Sequence, residues 1–450
     1  MKGPVRRRRQ VLAAGVAAVG AVATARCGSA DVNGAGPAEY RPPAQAQGPR
    51  AVIWSLAEQG DAWRKAWNDT YAAAEKATGI RVTASWEPSA GYWDKRQAEI
   101  AAGAPSVDLM YNTSAWVISG GVRGMFVDHY EYMRRDKVDV KQYFQAALDS
   151  WSWKGKLWSV PYAAGGEVVH FNKALFDAKG LKYPHKDWNY DDFLAACQRL
   201  NDPANNKFAV TVGQNGIHYM MGTFMLNFGG KRLNDAKDRA LYGDDVNSIT
   251  GASLDVDLHT RYKVTPPADA LKTLPAGAQP IEVQMVAMEF NGLSRRSAIA
   301  AAIGANNLDF APPPKGPTGI QTAAVGGNAF SILTLSKAID ASWEVLRWLH
   351  SKEGVFSPHI QVISGPPVIA AANSPQWLDM FKGTHLADCQ QVFAKAGHDF
   401  LILPEGSEAW MTMNAPINDA LAGKIATREA MQESARQLNE LFSRRPAAWH

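Results

Sequence analysis

Residues 51–111 read AVIWSLAEQGDAWRKAWNDTYAAAEKATGIRVTASWEPSAGYWDKRQAEIAAGAPSVDLMY, and this run sets the fold class. Ala51 to Leu56 is a short apolar stretch of strand length. From Asp61 to Thr78, the residues Trp63, Trp67, Tyr71 and Ala74 recur at helical spacing, and Gly79 stops the helix. Ile80 to Trp86 is a second strand, Gly91 to Ala102 a second helix and Val107 to Tyr111 a third strand. The βαβαβ order predicts an α/β lobe with a largely parallel sheet.

Further along, Trp151–Trp153 and Leu157–Val160 flank Lys154-Gly155-Lys156, a hairpin with glycine in its turn. Val168 to Phe171 is another strand, followed by helices near Lys173–Ala178 and Tyr190–Leu200. Apolar periodicity predicts helices over Ser336–Leu349, 407–422 and Thr427–Phe442. No repeat of 20–50 residues is present.

The chain has 450 residues, too many for one compact core, so two or three domain-sized units are expected. It is 46% hydrophobic and 20% charged, a globular balance, and its 15 tryptophans need a use. Formal charge is +4, but Lys2, Arg6, Arg7, Arg8, Arg9 and Arg26 crowd one end without an acid. From residue 27 onward, 41 bases face 43 acids (47 minus 6 against 43), a net −2. A nucleic-acid partner is therefore not expected.

Val11 to Ala25 follows the basic cluster as an apolar h-region, shorter than a membrane span. Arg8-Arg9-Gln10-Val11-Leu12 resembles a twin-arginine export signal. Residues 1–27 are read as that signal, with cleavage near Ala23–Ala25 competing with lipidation of Cys27 and anchoring to the membrane. Residues 28–50, rich in Gly, Ala and Pro, are read as a flexible tether. Cys197 and Cys389 are read as two buried thiols, with a disulfide between them, which an exported chain permits, as the alternative. There is no phosphate loop, no GxGxxG, no HExxH and no GxSxG. No catalytic residue, cofactor or metal site is assigned.

Several segments together resemble the extracellular solute-binding proteins of bacterial ABC importers, in their sugar-binding group. Trp153-Lys-Gly-Lys-Leu-Trp-Ser-Val-Pro-Tyr162 with Val168-Val-His-Phe-Asn-Lys173 is one such segment. Gln284-Met-Val-Ala-Met288 with Asn291-Gly292 is a second, and Asp309-Phe-Ala-Pro-Pro-Pro-Lys-Gly-Pro317 with Gly326-Gly327 a third. Ser336-Lys337 and Ala341 to Leu349 complete the order. The resemblance covers roughly residues 51–445. It implies an α/β, two-lobe periplasmic-binding-protein-like fold with a hinge and an interlobe ligand cleft. Crossings are expected near Pro161–Glu167, Val325–Leu333 and Pro366–Ala371. One lobe would be 51–161 plus 330–365, the other 166–325 plus 372–445.

The resemblance further implies an exported, monomeric receptor without enzymatic activity. It would carry a mono- or oligosaccharide to the permease subunits of an ABC transporter. A glycerol-phosphate or phosphorylated-polyol binder of the same family, and a secreted carbohydrate-active enzyme, are the alternatives.

Expected ligand contacts combine hydrogen-bonding groups with rings that cover sugar CH faces. Glu58 and Gln59 follow the first strand; their alternative is a solvated loop. Asn112, Thr113, Ser114 and Trp116 follow the third, at the sheet edge where α/β ligands bind. Tyr162 and Glu167 sit at the first crossing, where hinge packing competes. Asn291 lies in the second motif. Tyr219, in Gly216-Ile-His-Tyr219, and Trp410, in Ser407-Glu-Ala-Trp410, match aromatic positions of the family's maltodextrin binders; helix packing is the competing role. Gly326, Gly327 and Asn328 would let backbone approach the ligand. Where those binders carry another ring after Asn291-Gly292, this chain has Leu293 and Ser294, which argues against a long glucan. Arg295 could serve an anionic ligand or be solvated.

Overall fold

Two long strands carry the architecture. β6 (Val160–Asn172) and β10 (Ala323–Ile332) lie antiparallel and belong to both halves of the molecule. The computed structural model describes residues 39–42, 48–58, 61–212, 216–275, 278–357 and 365–449. The export signal, Cys27 and Gln59 lie outside them.

In the first half, β1 (Ala51–Glu58) pairs in parallel with β2 (Arg81–Pro88) and with β3 (Leu109–Asn112). Helices Asp61–Thr78 and Tyr92–Ala101 make the crossovers. β3 then pairs antiparallel with the end of β10, Asn112 opposite Ala329 and Leu109 opposite Ile332. A two-residue hairpin, β4 (Ser152–Trp153) and β5 (Lys156–Leu157), precedes β6. In the second half, β6 pairs with β8 (Val286–Gly292) and β9 (Leu308–Ala311), while β7 (Phe208–Val212) lies parallel to β8. The short β11 (Gly397–His398) joins β10 at Ala323 and Ala324.

The first crossing is therefore not a loop between strands. Val160 to Gly166 faces β10, and Glu167 to Phe171 faces β8, within one strand of 13 residues. At about 3.3 Å per residue it spans roughly 43 Å, long enough to serve two sheets. Gly326 lies opposite Gly165, and a bulge follows at Asn328/Ala329. Gly327 has φ +149°, and a Cβ there would sit 2.0 Å from the Ala163 carbonyl oxygen, so the strands can approach only with glycine. The third crossing returns through Gly365, whose carbonyl accepts from Ala164 N–H at 2.9 Å, and Pro367, whose carbonyl accepts from Phe144 N–H at 3.2 Å.

Tryptophan use is mostly structural, since eleven of the fifteen are buried. Trp54, Trp67, Tyr71, Tyr162 and Phe330 interlock at centroid distances of 4.4–5.9 Å in the first half. Trp188, Tyr190, Phe193, Phe224 and Phe290 form a separate cluster in the second. Trp151, Trp153 and Trp158 are buried in the core, and Cys197 and Cys389 are buried and free.

The tether reading needs a correction at residues 39–42. Tyr40 N–H donates to Glu353 Oε2 (3.0 Å) and its hydroxyl to Glu344 Oε1 (2.6 Å), while Arg347 donates to the Arg41 carbonyl (2.9 Å). A buried-face helix, Ile339–Leu349, thus holds this piece of chain against the first half.

Candidate functional site

Where the two sheets exchange strands, β10 exposes no side chain at Gly326 and Gly327, and aromatic rings fill the space. The Phe400 ring lies over Gly326, where a Cβ would meet it at 1.7 Å. Tyr219 stacks on Phe400 with centroids 4.8 Å apart and planes 14° off parallel. Beside this pair, Trp410 stacks on His218 at 4.4 Å and 21°. Helix Ser407–Leu421 explains the second pair. Trp410 and Asn414 are one turn apart on the same face, so His218 meets the indole and Asn414 Nδ2 together, the latter 3.1 Å from Nδ1. Tyr219 and Trp410 are each half-buried.

Next to the rings lies a line of polar groups. Thr223 Oγ1, in helix Met220–Asn227, is 2.9 Å from His398 Nε2 and 3.4 Å from Glu167 Oε2. Burial pushes the Glu167 carboxyl well above the usual carboxylate range, with Thr223 only partly opposing it. Burial likewise lowers His218 to about 4 and His398 to about 3, Arg232 adding to both. Tyr219 is raised by burial and by Glu167. Burial thus disfavours the charged form of each of these groups. The neighbouring charge is self-contained: Asp399 takes Arg232 at 2.6 Å and Lys237 at 2.8 Å, and the two cations hold its carboxyl below its ordinary value despite burial.

On the other flank, two residues along β10 and roughly 7 Å from Gly326, Asn328 Oδ1 accepts from the Tyr111 hydroxyl at 3.0 Å. Trp116 is half-buried and lies flat on Trp93, 5.2 Å and 6°. Ser114 begins the helix behind β3, with Thr113 as its N-cap, and β1 ends on Glu58.

Two expected contacts are corrected. Tyr162 is wholly buried, stacked on Phe330 at 4.4 Å and edge-on to Trp67, so its ring packs a core. Asn112 is also wholly buried, and its Nδ2 donates to Ser331 Oγ (2.6 Å) and Ser159 Oγ (3.2 Å). Its side chain ties β3 to β10 and to the start of β6. Asn291 is half-buried and turned onto its own strand, donating to Glu289 Oε1 at 2.7 Å and accepting from Gly292 N–H at 2.8 Å. Arg295 donates to Glu282 at 2.5 Å, and Leu293 is fully buried.

The structure brings together Glu167, Tyr219, Gly326, Gly327, Asn328 and Trp410 around one stretch of β10 and β6. Sequence reasoning missed Phe400, His218, Thr223 and His398. His218 adjoins Tyr219 and Asn414 follows Trp410 by one turn, which were usable signals; Phe400 and His398 had none, because only the pairing of β11 with β10 delivers them. Among the described residues, no group of three or more metal-ligating side chains occurs, and no helix is long and apolar enough to cross a membrane.

Comparisons with known proteins accord with this geometry. The pattern of the bacterial extracellular solute-binding proteins matches residues 69–382. A curated relative, the erythritol/L-threitol-binding protein of Mycolicibacterium smegmatis, is 22% identical over 302 residues, 62% of this chain and 62% of that protein's length. Among solved structures, an ABC substrate-binding protein of Listeria monocytogenes in complex with cycloalternan superposes with a TM-score of 0.72 at 18% identity, covering 87% of this chain and 99% of its own. A maltose-bound protein of T. maritima gives 0.71 at 16% identity, with coverage of 87% and 99%. The shared fold is the two-lobe α/β architecture.

Proposed function

We propose that this chain, which belongs to the bacterial extracellular solute-binding protein family, binds an uncharged sugar or polyol between its lobes and delivers it to a membrane permease. One observation carries the ligand class: half-buried rings at Tyr219 and Trp410 adjoin a line of polar groups, Glu167, Thr223, His218 and His398, whose charged forms burial disfavours. Stacked rings cover CH faces and neutral donors and acceptors meet hydroxyls. A phosphate would need a free cation, and Arg295 is paired with Glu282.

The lobes are 51–161 with 330–365 and 166–325 with 372–445, and β6, β10 and the Gly365 crossing act as the hinge. Ligand stabilises the closed form, and the chain does no chemistry on it. Its family is extracellular, and the basic leader with Cys27 supplies export and an anchor; mass spectrometry of the mature N-terminus tests this by finding or not finding a lipidated Cys27.

The deciding experiment is a melting-temperature screen with erythritol, other polyols, monosaccharides, maltodextrins, glycerol phosphate, peptides and polyamines. Ligands that bind only the folded state raise the midpoint. The reading expects one neutral polyol or sugar to raise it. A shift with glycerol phosphate, a peptide or a polyamine and with no carbohydrate or polyol overturns it. Turnover of a labelled oligosaccharide by the pure protein would return the enzyme alternative.

A further inference from the structure

The protons of the Glu167–Thr223–His398 line can be counted. His398 Nδ1 lies 2.9 Å from the Asp399 carbonyl oxygen, which can only accept, so Nδ1 carries a proton. Thr223 has one hydroxyl proton to share between His398 Nε2 at 2.9 Å and Glu167 Oε2 at 3.4 Å. If Nε2 is bare, Thr223 donates to it, and Thr223 Oγ1 can only accept from Glu167, which is then a carboxylic acid. If Nε2 is protonated, it donates to Thr223, and Thr223 donates to a carboxylate. The two arrangements contain the same protons and differ by one shift along the line.

The surroundings select between them. Glu167 is 1% exposed, and among the described residues no cationic side chain pairs with it. Tyr219 is the titratable group beside it. On the His398 side stand Arg232, Lys237 and Asp399, and the Asp399 carboxylate is already committed to the two cations. An imidazolium would therefore face Arg232 with little to compensate it, while the carboxylate would be buried without a counter-charge. Burial acts on both groups in the same sense, disfavouring the charged forms.

We propose that Glu167 is held as a neutral carboxylic acid that donates to Thr223, which donates to His398 Nε2, and that this relay positions β6, helix Met220–Asn227 and β11 as one charge-free cleft floor. The relay deepens the ligand reading above by assigning the charge state of its floor. Glu167 acts here as a positioning residue whose proton is part of the structure. Its ionisation would put an unpaired charge beside Tyr219 and weaken both floor and ligand affinity.

The test needs no ligand, so its failure and that of the ligand reading are distinguishable. Nitrogen-15 NMR of the full histidine-labelled chain at pH 7, with His398 assigned by loss of its signals in His398→Gln, should show Nδ1 protonated and Nε2 bare. Glu167→Gln keeps a donor to Thr223 and has no proton to release on unfolding, so it should melt no lower than the wild type at pH 7 and should lose the decline in stability that the wild type shows as pH rises above about 4. Glu167→Ala and Thr223→Val should both melt lower. An imidazolium at His398 at pH 7 overturns the proposal, as does a Gln variant as unstable as the Ala variant.

Discussion

Replacing Gly326 by alanine tests how the hinge supports the aromatic floor. The new Cβ would lie 1.7, 2.0 and 2.6 Å from three carbons of the Phe400 ring. Carbon atoms in contact sit about 3.5–4.0 Å apart, so the ring must retreat by about 2 Å. Phe400 is 7% exposed and stacked on Tyr219, which leaves it nowhere to go without breaking the stack. Overpacking costs about 1–3 kcal/mol and a lost aromatic pair about 0.5–1.5 kcal/mol, together about 2–4 kcal/mol. Gly292→Ala is the control, because its φ is −70° and its nearest neighbour would be Ser294 Oγ at 3.8 Å. Thermal and denaturant melts should show a large loss for Gly326→Ala and almost none for Gly292→Ala. Since a displaced Phe400 also moves Tyr219, ligand affinity should fall about tenfold, the equivalent of about 1.4 kcal/mol. In a Phe400→Ala background the clash is gone, so Gly326→Ala should become nearly neutral. A full-sized cost in that background refutes the reasoning.

Trp410→Ala should weaken binding of the ligand found in the screen by about 1–3 kcal/mol in calorimetry, with a smaller loss of stability, because the ring is only half-buried. Arg445→Met should destabilise by about 3–5 kcal/mol in denaturant melts, since it strands the buried Glu405 carboxylate now held at 2.6 Å; adding Glu405→Gln should recover part of the loss. Asp255 is wholly buried and desolvation raises it to about 7. The folded state therefore keeps a proton that the unfolded chain releases near pH 4, so this group's stabilisation is full below that pH and is lost as pH rises to about 7. Asp255→Asn should flatten that limb of the stability–pH profile, and an unchanged profile would show that Asp255 does not carry it.

Much of the fold was legible. The strand and helix runs of residues 51–111 follow from apolar spacing, and the elements occur within a few residues of the expected bounds. The site was legible in part. Trp410 and Tyr219 were picked by resemblance to aromatic positions of the family and are half-buried, but sequence could not tell them from Tyr162, whose ring is enclosed by Trp67 and Phe330. Both kinds of residue are apolar at a strand or helix end; only packing partners separate them. Asn112 failed for a related reason. A polar residue after a strand reads as a ligand contact, yet its amide satisfies Ser159 and Ser331, which lie 47 and 219 residues away.

Local spacing and composition determined the α/β class and the crowding of six basic residues into the first 26 positions, because these depend on neighbours within a few residues. Tertiary structure alone decided that β6 serves two sheets, that Phe400 lies on Gly326, and that Thr223 joins Glu167 to His398. Those contacts join residues 56 to 175 positions apart, and they set desolvation, which depends on everything packed around a group rather than on its own identity. The charge state of the cleft floor is therefore a property of the folded chain.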